Sequence, residues 1–314
     1  MDGDLLAFAG GGGGAKLAHG FSLVLDSDSL IIVGNTGDDE IFYGLNISPD
    51  LDSIMYTLAG IINDRMGYGI DSDTFKVLET LQKLNLETWF SIGDKDFATH
   101  LKRTSLLHRG WSLSEVTKEL FQNLEVVHSV VPMTDQVVRT ILKTNKGDLS
   151  FQEYFVKHHS EEVVFSIDYE GSDKAQPSLQ FQRALESSKA IAICPSNPYL
   201  SIEPILSVNG VRDSLEKFKG PVGVVSPIIS GKALKGPAGK LIREIMGEEP
   251  TPLSVAKYYK YLATHFILDI KDADYESEII DLGYEVLITD TIMKDAKTKA
   301  LLAKNTCKFL GIRI

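Results

Sequence analysis

LLAFAGGGGGAKLAHGF (residues 5–21) decides the fold of this 314-residue chain. Leu5–Ala9 has the length of one buried strand. Five glycines follow, and the apolar positions Leu17, Phe21 and Leu25 then recur at helical spacing. A strand running through a glycine turn into a helix is the opening unit of a nucleotide-binding α/β sheet. Glycines let backbone N–H groups approach a phosphate, and the helix N-terminus adds partial positive charge. A flexible linker would also be glycine-rich, but it would not fall between a strand and a helix.

Reading outward, short apolar runs recur at residues 30–33, 190–194, 222–225, 266–269 and 286–288. Helical patterns separate them near 178–187, 211–218, 238–246, 252–264, 274–282 and 294–304. Continuous apolar strands alternating with helices predict an α/β, Rossmann-like parallel sheet with helices on both faces. The middle differs. Residues 51–62, 72–84, 97–108 and 113–121 read as successive helices, and alternating β segments between 125 and 166 meet at the turn Asn145-Lys146-Gly147-Asp148. The expected division is a nucleotide-binding core of residues 1–50 and 165–314 with a helical and β-hairpin insertion at 51–164.

Composition narrows the classes. Acidic side chains number 43 against 32 basic ones, a net charge of −11, which argues against a nucleic-acid surface. Two cysteines, Cys194 and Cys307, exclude a disulfide framework, and no Cys/His cluster has zinc spacing. No apolar run reaches the ~18 residues of a membrane span, and residues 1–9 lack a signal-peptide pattern. The chain reads as cytosolic, with no membrane partner.

The glycine run fits neither common nucleotide motif well. A Walker loop needs Ser or Thr after the lysine, whereas Lys16 precedes Leu17. A dinucleotide fingerprint is nearly met by Gly10, Gly12 and Ala15, but the second strand ends in Gly34-Asn35-Thr36 without the ribose-holding carboxylate. A nicotinamide oxidoreductase is therefore disfavoured. Past that strand come Asp38, Asp39 and Glu40, then Asp50 and Asp52. Acids facing a phosphate site imply a divalent cation between them, so Mg²⁺ is expected; helix capping by Asp50 is the competing account.

Further loops at strand ends carry Pro195, Ser196 and Asn197, then Ser226 and Pro227, then Lys235, Gly236 and Pro237. Turn chemistry alone explains each taken singly. Residues 93–103 place Asp94, Asp96, Thr99, His100 and Arg103 on adjoining turns, and burying such groups without partners is costly. Trp89, Phe90 and Tyr68 either pack the insertion or line a pocket for a planar ring.

Together these segments resemble the 2-phospho-L-lactate transferase family (CofD and its FbiA-like mycobacterial relatives) of coenzyme F-420 biosynthesis. The matching stretches are AGGGGGAKLAHG (9–20), GNTGDDEIFYGLNISPDLDSIMYTLAG (34–60), GYGIDSDTF (67–75), GDKDFATHLKR (93–103), FQEYFV (151–156), PSNPYLSI (195–202), SPIISGKALKGPAGK (226–240) and TDTIM (289–293). Gly12 departs from the family, many members carrying Thr or Val there. The resemblance implies transfer of a phosphorylated three-carbon acid, phospholactate or phosphoenolpyruvate, from a GDP-linked donor to the ribityl hydroxyl of the deazaflavin Fo. It further implies release of GMP, a requirement for Mg²⁺ and the homodimer common in the family.

On that resemblance Gly10, Gly11, Gly12, Gly13 and Lys16 hold the guanosine diphosphate part, with Pro195, Ser196, Asn197, Ser226, Pro227 and Gly236. Asp50 and Asp52 are the catalytic and metal-binding residues, with Asn35 and Asp38 beside them. Ser91, Asp94, Asp96, Thr99 and His100 line the deazaflavin pocket. A non-catalytic sugar-nucleotide-binding regulator of the YvcK type is the rival. Its Gly- and Ser-rich stretch after the second strand is replaced here by Asp38-Asp39-Glu40-Ile41-Phe42.

Overall fold

The computed structural model describes residues 4–233 and 236–314; Lys235, from the third of the loops read above, lies outside the described residues. Its centre is a seven-stranded sheet of β1 (Leu5–Ala9), β2 (Leu30–Gly34), β3 (Ser129–Pro132), β4 (Ala190–Ile193), β5 (Val222–Val225), β6 (His265–Asp269) and β7 (Glu285–Thr289). Every pairing is parallel, in the order β7-β6-β5-β4-β1-β2-β3. The direction of winding reverses between β1 and β4, and in such sheets the ligand crevice opens at that point.

Why the strands read as unbroken apolar runs is plain from their two faces. Leu6, Phe8, Ile31, Val33, Ile191 and Ile193 pack into one core with Phe181, Leu206 and Phe266. Their neighbours Leu5, Ala7, Leu30, Ile32 and Ala192 pack into another with Leu17, Phe21, Leu51 and Leu302. Alternate side chains point to opposite faces, so a sheet covered on both sides needs apolar residues at every position. Cys194 and Cys307 are free thiols within the second core.

Four helices position the site: α1 (Gly11–Ser22), α2 (Pro49–Leu58), α3 (Asp94–His108) and α4 (Ala296–Phe309). The first and last lie side by side. A Cβ at Gly20 of α1 would collide with the Lys299 carbonyl of α4. Asp295 starts α4 by accepting from the Thr298 N–H at 2.8 Å, within a capping box.

Between β2 and β4 the chain forms a helical array and a three-stranded antiparallel sheet of Arg139–Thr144, Gly147–Ser150 and Val164–Glu170, turning at Asn145-Lys146. One expectation changes here. Ser129–Pro132 lies within the segment read as an insertion, yet it pairs with β2 as the edge of the central sheet. Its apolar run is only Val130-Val131, too short for periodicity to reveal, and its proline is tolerated because only one neighbour needs its ladder. The helix expected over 72–84 shrinks to Lys76–Lys83 and buries no residue. Among the described residues no helix is long and apolar enough to cross a membrane.

Candidate functional site

The carboxyl ends of β1, β2, β4, β5 and β7 open into a cavity of about 470 Å³. The glycine loop forms its centre. Gly10 is the extended N-cap of α1 and has no side chain to cap with, while Gly11 adopts φ +63°, a conformation suited to glycine. A Cβ at Gly13 would collide with the Pro195 carbonyl, so α1 sits hard against the loop after β4. Helix N-termini leave several N–H groups without intrahelical acceptors, which makes this an anion-binding end.

Asp50 occupies that end. Its Oδ1 accepts the Gly11 N–H at 2.6 Å, and its Oδ2 accepts from Asn35 Nδ2 at 2.9 Å. Capping of its own helix was the competing account for Asp50; because α2 begins at Pro49, Asp50 lies inside the first turn and caps α1 instead. Burial pushes its carboxyl up to about 6, against those two hydrogen bonds, which favour the ionised form. The Asn35 amide also reaches Asp38 Oδ1 at 3.3 Å and the Leu200 carbonyl at 3.2 Å. Asp38 is raised well above the usual carboxylate range, by burial first and by the Asp50 and Asp39 charges next. Asp39, whose Oδ2 accepts from the Ser48 hydroxyl at 2.7 Å, is pushed by burial up to about 8.

Asp52, two residues further along α2, is buried and ion-paired with Arg103 of α3. The Arg103 Nη1 lies 3.0 Å from His100 Nδ1, which therefore accepts and leaves the proton on Nε2. Nε2 faces Asp96 Oδ1 at 3.1 Å, and the Tyr56 hydroxyl donates to that same oxygen at 2.6 Å. Burial alone would raise Asp96, but His100, Tyr56 and Arg103 together hold its carboxyl below the ordinary range. A continuous polar chain thus runs Asp52–Arg103–His100–Asp96–Tyr56 along the cavity floor.

The two acids fit a divalent cation of the magnesium kind. Asp52 Oδ2 is buried without a hydrogen-bond partner, although His100 Nδ1 stands 3.6 Å away, and Asp50 lines the same cavity. Among the described residues no group of three or more His, Cys, Asp or Glu side chains could hold a metal. Mg²⁺ does not require such a group, since it takes one or two carboxylates and completes its shell with water and substrate phosphates.

Of the site residues expected from sequence, Gly10, Gly11, Gly12, Gly13, Lys16, Asp38, Asp50, Asp52, Ser91, Asp96, His100, Pro195, Ser196, Asn197, Ser226, Pro227 and Gly236 line this one cavity. Three do not. Asn35 lies behind the wall and holds Asp38 and Asp50 together. Asp94 instead caps the helix Lys76–Lys83, accepting from the N–H groups of Lys76 at 3.0 Å and Val77 at 2.9 Å. Thr99 stands beside Tyr56, outside the lining.

The cavity also takes Phe90 and Tyr68, which the sequence left open between packing the insertion and lining a ring pocket, and further residues that it did not place there. Phe90 stacks on Phe42 with centroids 4.0 Å apart, Phe151 and Phe155 stack at 5.4 Å, and all but Phe42 line the wall. Gln152 reaches the Asp38 carbonyl at 3.3 Å. Thr291, held by Asp269 through its N–H and its hydroxyl, and Lys299 on α4 come from the other end of the chain. The TDTIM and FQEYFV stretches were signals for two of these groups; nothing local marks Lys299.

Residues 5–300 match the family described as 2-phospho-L-lactate transferase CofD. The chain is 38% identical over 311 residues to the 2-phospho-L-lactate transferase of Methanocaldococcus jannaschii, covering 98% of each. To that of Methanopyrus kandleri it is 38% identical over 307 residues, covering 98% of this chain and 97% of the other. To that of Methanococcoides burtonii it is 36% identical over 300 residues, with 96% and 97% covered. Among solved structures, a UPF0052-family protein of Bacillus halodurans matches with a TM-score of 0.63 over 97% of this chain and 98% of that one. At 14% identity that likeness concerns the fold alone.

Proposed function

The chain belongs to the 2-phospho-L-lactate transferase (CofD) family and is an enzyme of that type, and from that premise we propose the reaction it carries out in coenzyme F-420 biosynthesis. A phosphorylated three-carbon acid, phospholactate or phosphoenolpyruvate, passes from a GDP-linked donor to the ribityl hydroxyl of Fo. The hydroxyl oxygen bonds the phosphorus that carries the acid. The bond from that phosphorus to the bridging diphosphate oxygen breaks, and GMP leaves with the oxygen. The observation that supports this most directly is that the glycine loop, the Asp50 and Asp52 carboxylates and an aromatic wall share one cavity.

Phosphoryl transfer asks a protein mainly for positioning and charge neutralisation. The N-terminus of α1, the 195–197 loop and the 226–227 and 236–238 segments hold the guanosine diphosphate part. Phe90, Phe151 and Phe155 give the deazaflavin ring an apolar face, and Tyr56, Ser91, Asp96 and His100 give its polar edge hydrogen-bond partners. Asp50 and Asp52 hold Mg²⁺, which when bound supplies neutralisation of the diphosphate charge. The hydroxyl's proton goes to Asp38, which Asn35 holds beside Asp50 and whose carboxyl burial raises well above the usual range. The homodimer belongs to the same reading, and sedimentation equilibrium checks it.

Titration of the protein with Fo, followed by its absorbance with and without GDP and Mg²⁺, tests the reading. Saturable binding near one equivalent is expected, with Asp50→Asn retaining the fold and losing most turnover. Absence of Fo binding, with a UDP-sugar bound instead, would favour the nucleotide-sensing regulator.

A further inference from the structure

Lys299 is one of the few lysines removed from solvent, at 7% exposure, and its side chain reaches the cavity wall from α4. Its Nζ lies 3.3 Å from His19 Nδ1 on α1. That contact uses one of the three N–H donors of an ammonium. Among the described residues no carboxylate comes within ion-pair distance of it. Burial first and the Lys299 charge second depress His19 below the ordinary imidazole range, with exposed Asp64 opposing. The imidazole is therefore a neutral acceptor that orients the ammonium without neutralising it.

A buried cation lacking an anion is costly, because a neutral partner repays little of its lost hydration. The helix packing does not require it, since α1 and α4 meet through the Lys299 backbone carbonyl at Gly20. The cavity supplies a reason. Asp38, Asp50, Asp52, Asp64 and Asp96 all line it, and Lys16 and Lys299 are its lysines among the described lining residues. A polyanionic donor entering that field needs cationic contacts aimed at its oxygens.

We infer that the Lys299 ammonium, steered by His19, is an anion-binding group of this cavity that holds an oxyanion of the donor. This rests on the transferase reading for the identity of the donor, and it adds a binding residue that lies some 280 positions from the glycine loop's helix. Two oxyanions of one donor share the required chemistry: the diphosphate and the carboxylate of the three-carbon acid.

The test titrates wild type, Lys299→Met and Lys299→Arg calorimetrically with GDP, GMP and phosphoenolpyruvate, beside thermal unfolding of each protein alone. Lys299→Met should unfold at the same or a higher temperature and bind at least one probe about tenfold more weakly, as loss of one charge-assisted hydrogen bond would give. Lys299→Arg should stay within about threefold of wild type on the same scale. Weakening confined to GDP places the ammonium on the diphosphate; weakening confined to phosphoenolpyruvate places it on the acid. Equal affinities for all three probes, no binding of any probe by wild type, or a lower unfolding temperature with unchanged affinity overturns the inference. Should the methionine variant fail to fold, Lys299→Gln carries the same test. A wild type that binds GDP in a Lys299-dependent way but ignores Fo defeats the transferase reading and leaves this inference standing.

Discussion

The carboxylate of Asp50 accepts the backbone N–H of Gly11 at 2.6 Å, so an acid from the start of α2 closes the N-terminus of α1. Two segments 39 residues apart thereby become one site. The glycine loop is held in shape by a side chain that also lines the cavity.

The tightest steric demand in that loop falls on Gly13. A methyl group there meets the Pro195 carbonyl, which cannot retreat without moving the loop after β4. Gly13→Ala should destabilise the protein by about 1–3 kcal/mol, as overpacking does, and weaken GDP binding. At Gly12 the added carbon would rest 3.5 Å from the Gly67 carbonyl, an ordinary contact. Gly12→Ala should therefore leave the unfolding temperature near wild type. Differential scanning calorimetry of the pair distinguishes the two positions.

Stability of the metal-free protein should fall as pH rises from 6 to 9. Asp39 has an ordinary value near 3.8 and is raised to about 8 in the fold. A carboxyl raised on folding favours the native state fully below its unfolded value, and that advantage is lost as pH climbs through the folded one. Asp39→Asn removes this titration while keeping an acceptor for the Ser48 hydroxyl. Its unfolding midpoint should vary less between pH 6 and 9 than that of wild type, measured by thermal denaturation in matched buffers.

Arg103 neutralises Asp52 where neither side chain sees water. Arg103→Leu strands a buried carboxylate and should cost about 3–5 kcal/mol in urea denaturation. Adding Asp52→Asn to it should restore part of that loss, because no unpaired charge then remains. A double-mutant cycle showing simple additivity would contradict the coupling.

Phe90 presents its ring to the cavity while stacked on Phe42 at 4.0 Å. Phe90→Ala should weaken Fo binding by about 0.5–1.5 kcal/mol, roughly the contribution of one aromatic pair. GDP affinity should be unchanged, since the nucleotide loops lie on other elements. Parallel titrations of the two ligands separate these effects.

The sheet was legible in the sequence because each of six strands is an apolar run long enough to stand out between turn residues. β3 was hidden because its apolar run is only Val130-Val131, between a serine and a proline. The glycine loop, Asp50 and the strand-end loops announced themselves by position, since parallel sheets gather those ends at one edge. Asp94 and Thr99 looked equivalent to Asp96 and His100 by spacing, but a helix turns by about 100° per residue, which aims Asp94 at the neighbouring helix and Asp96 at the cavity floor. Asn35, expected to bind ligand, instead holds Asp38 and Asp50 from behind the wall. Lys299 had no local signature, because only tertiary packing brings α4 to the cavity of the glycine loop.

The side-by-side placement of α1 and α4 has a consequence for biosynthesis of the chain. The contact between His19 and Lys299 cannot form until Lys299 has left the ribosome, 280 residues later. Until then the apolar stripe of α1, with Leu17 and Phe21, lacks the cover that Leu302 and Ala303 later provide. Contacts of such long sequence separation form late and slowly. That stripe of α1 therefore stays uncovered on the nascent chain until α4 has emerged to pack against it.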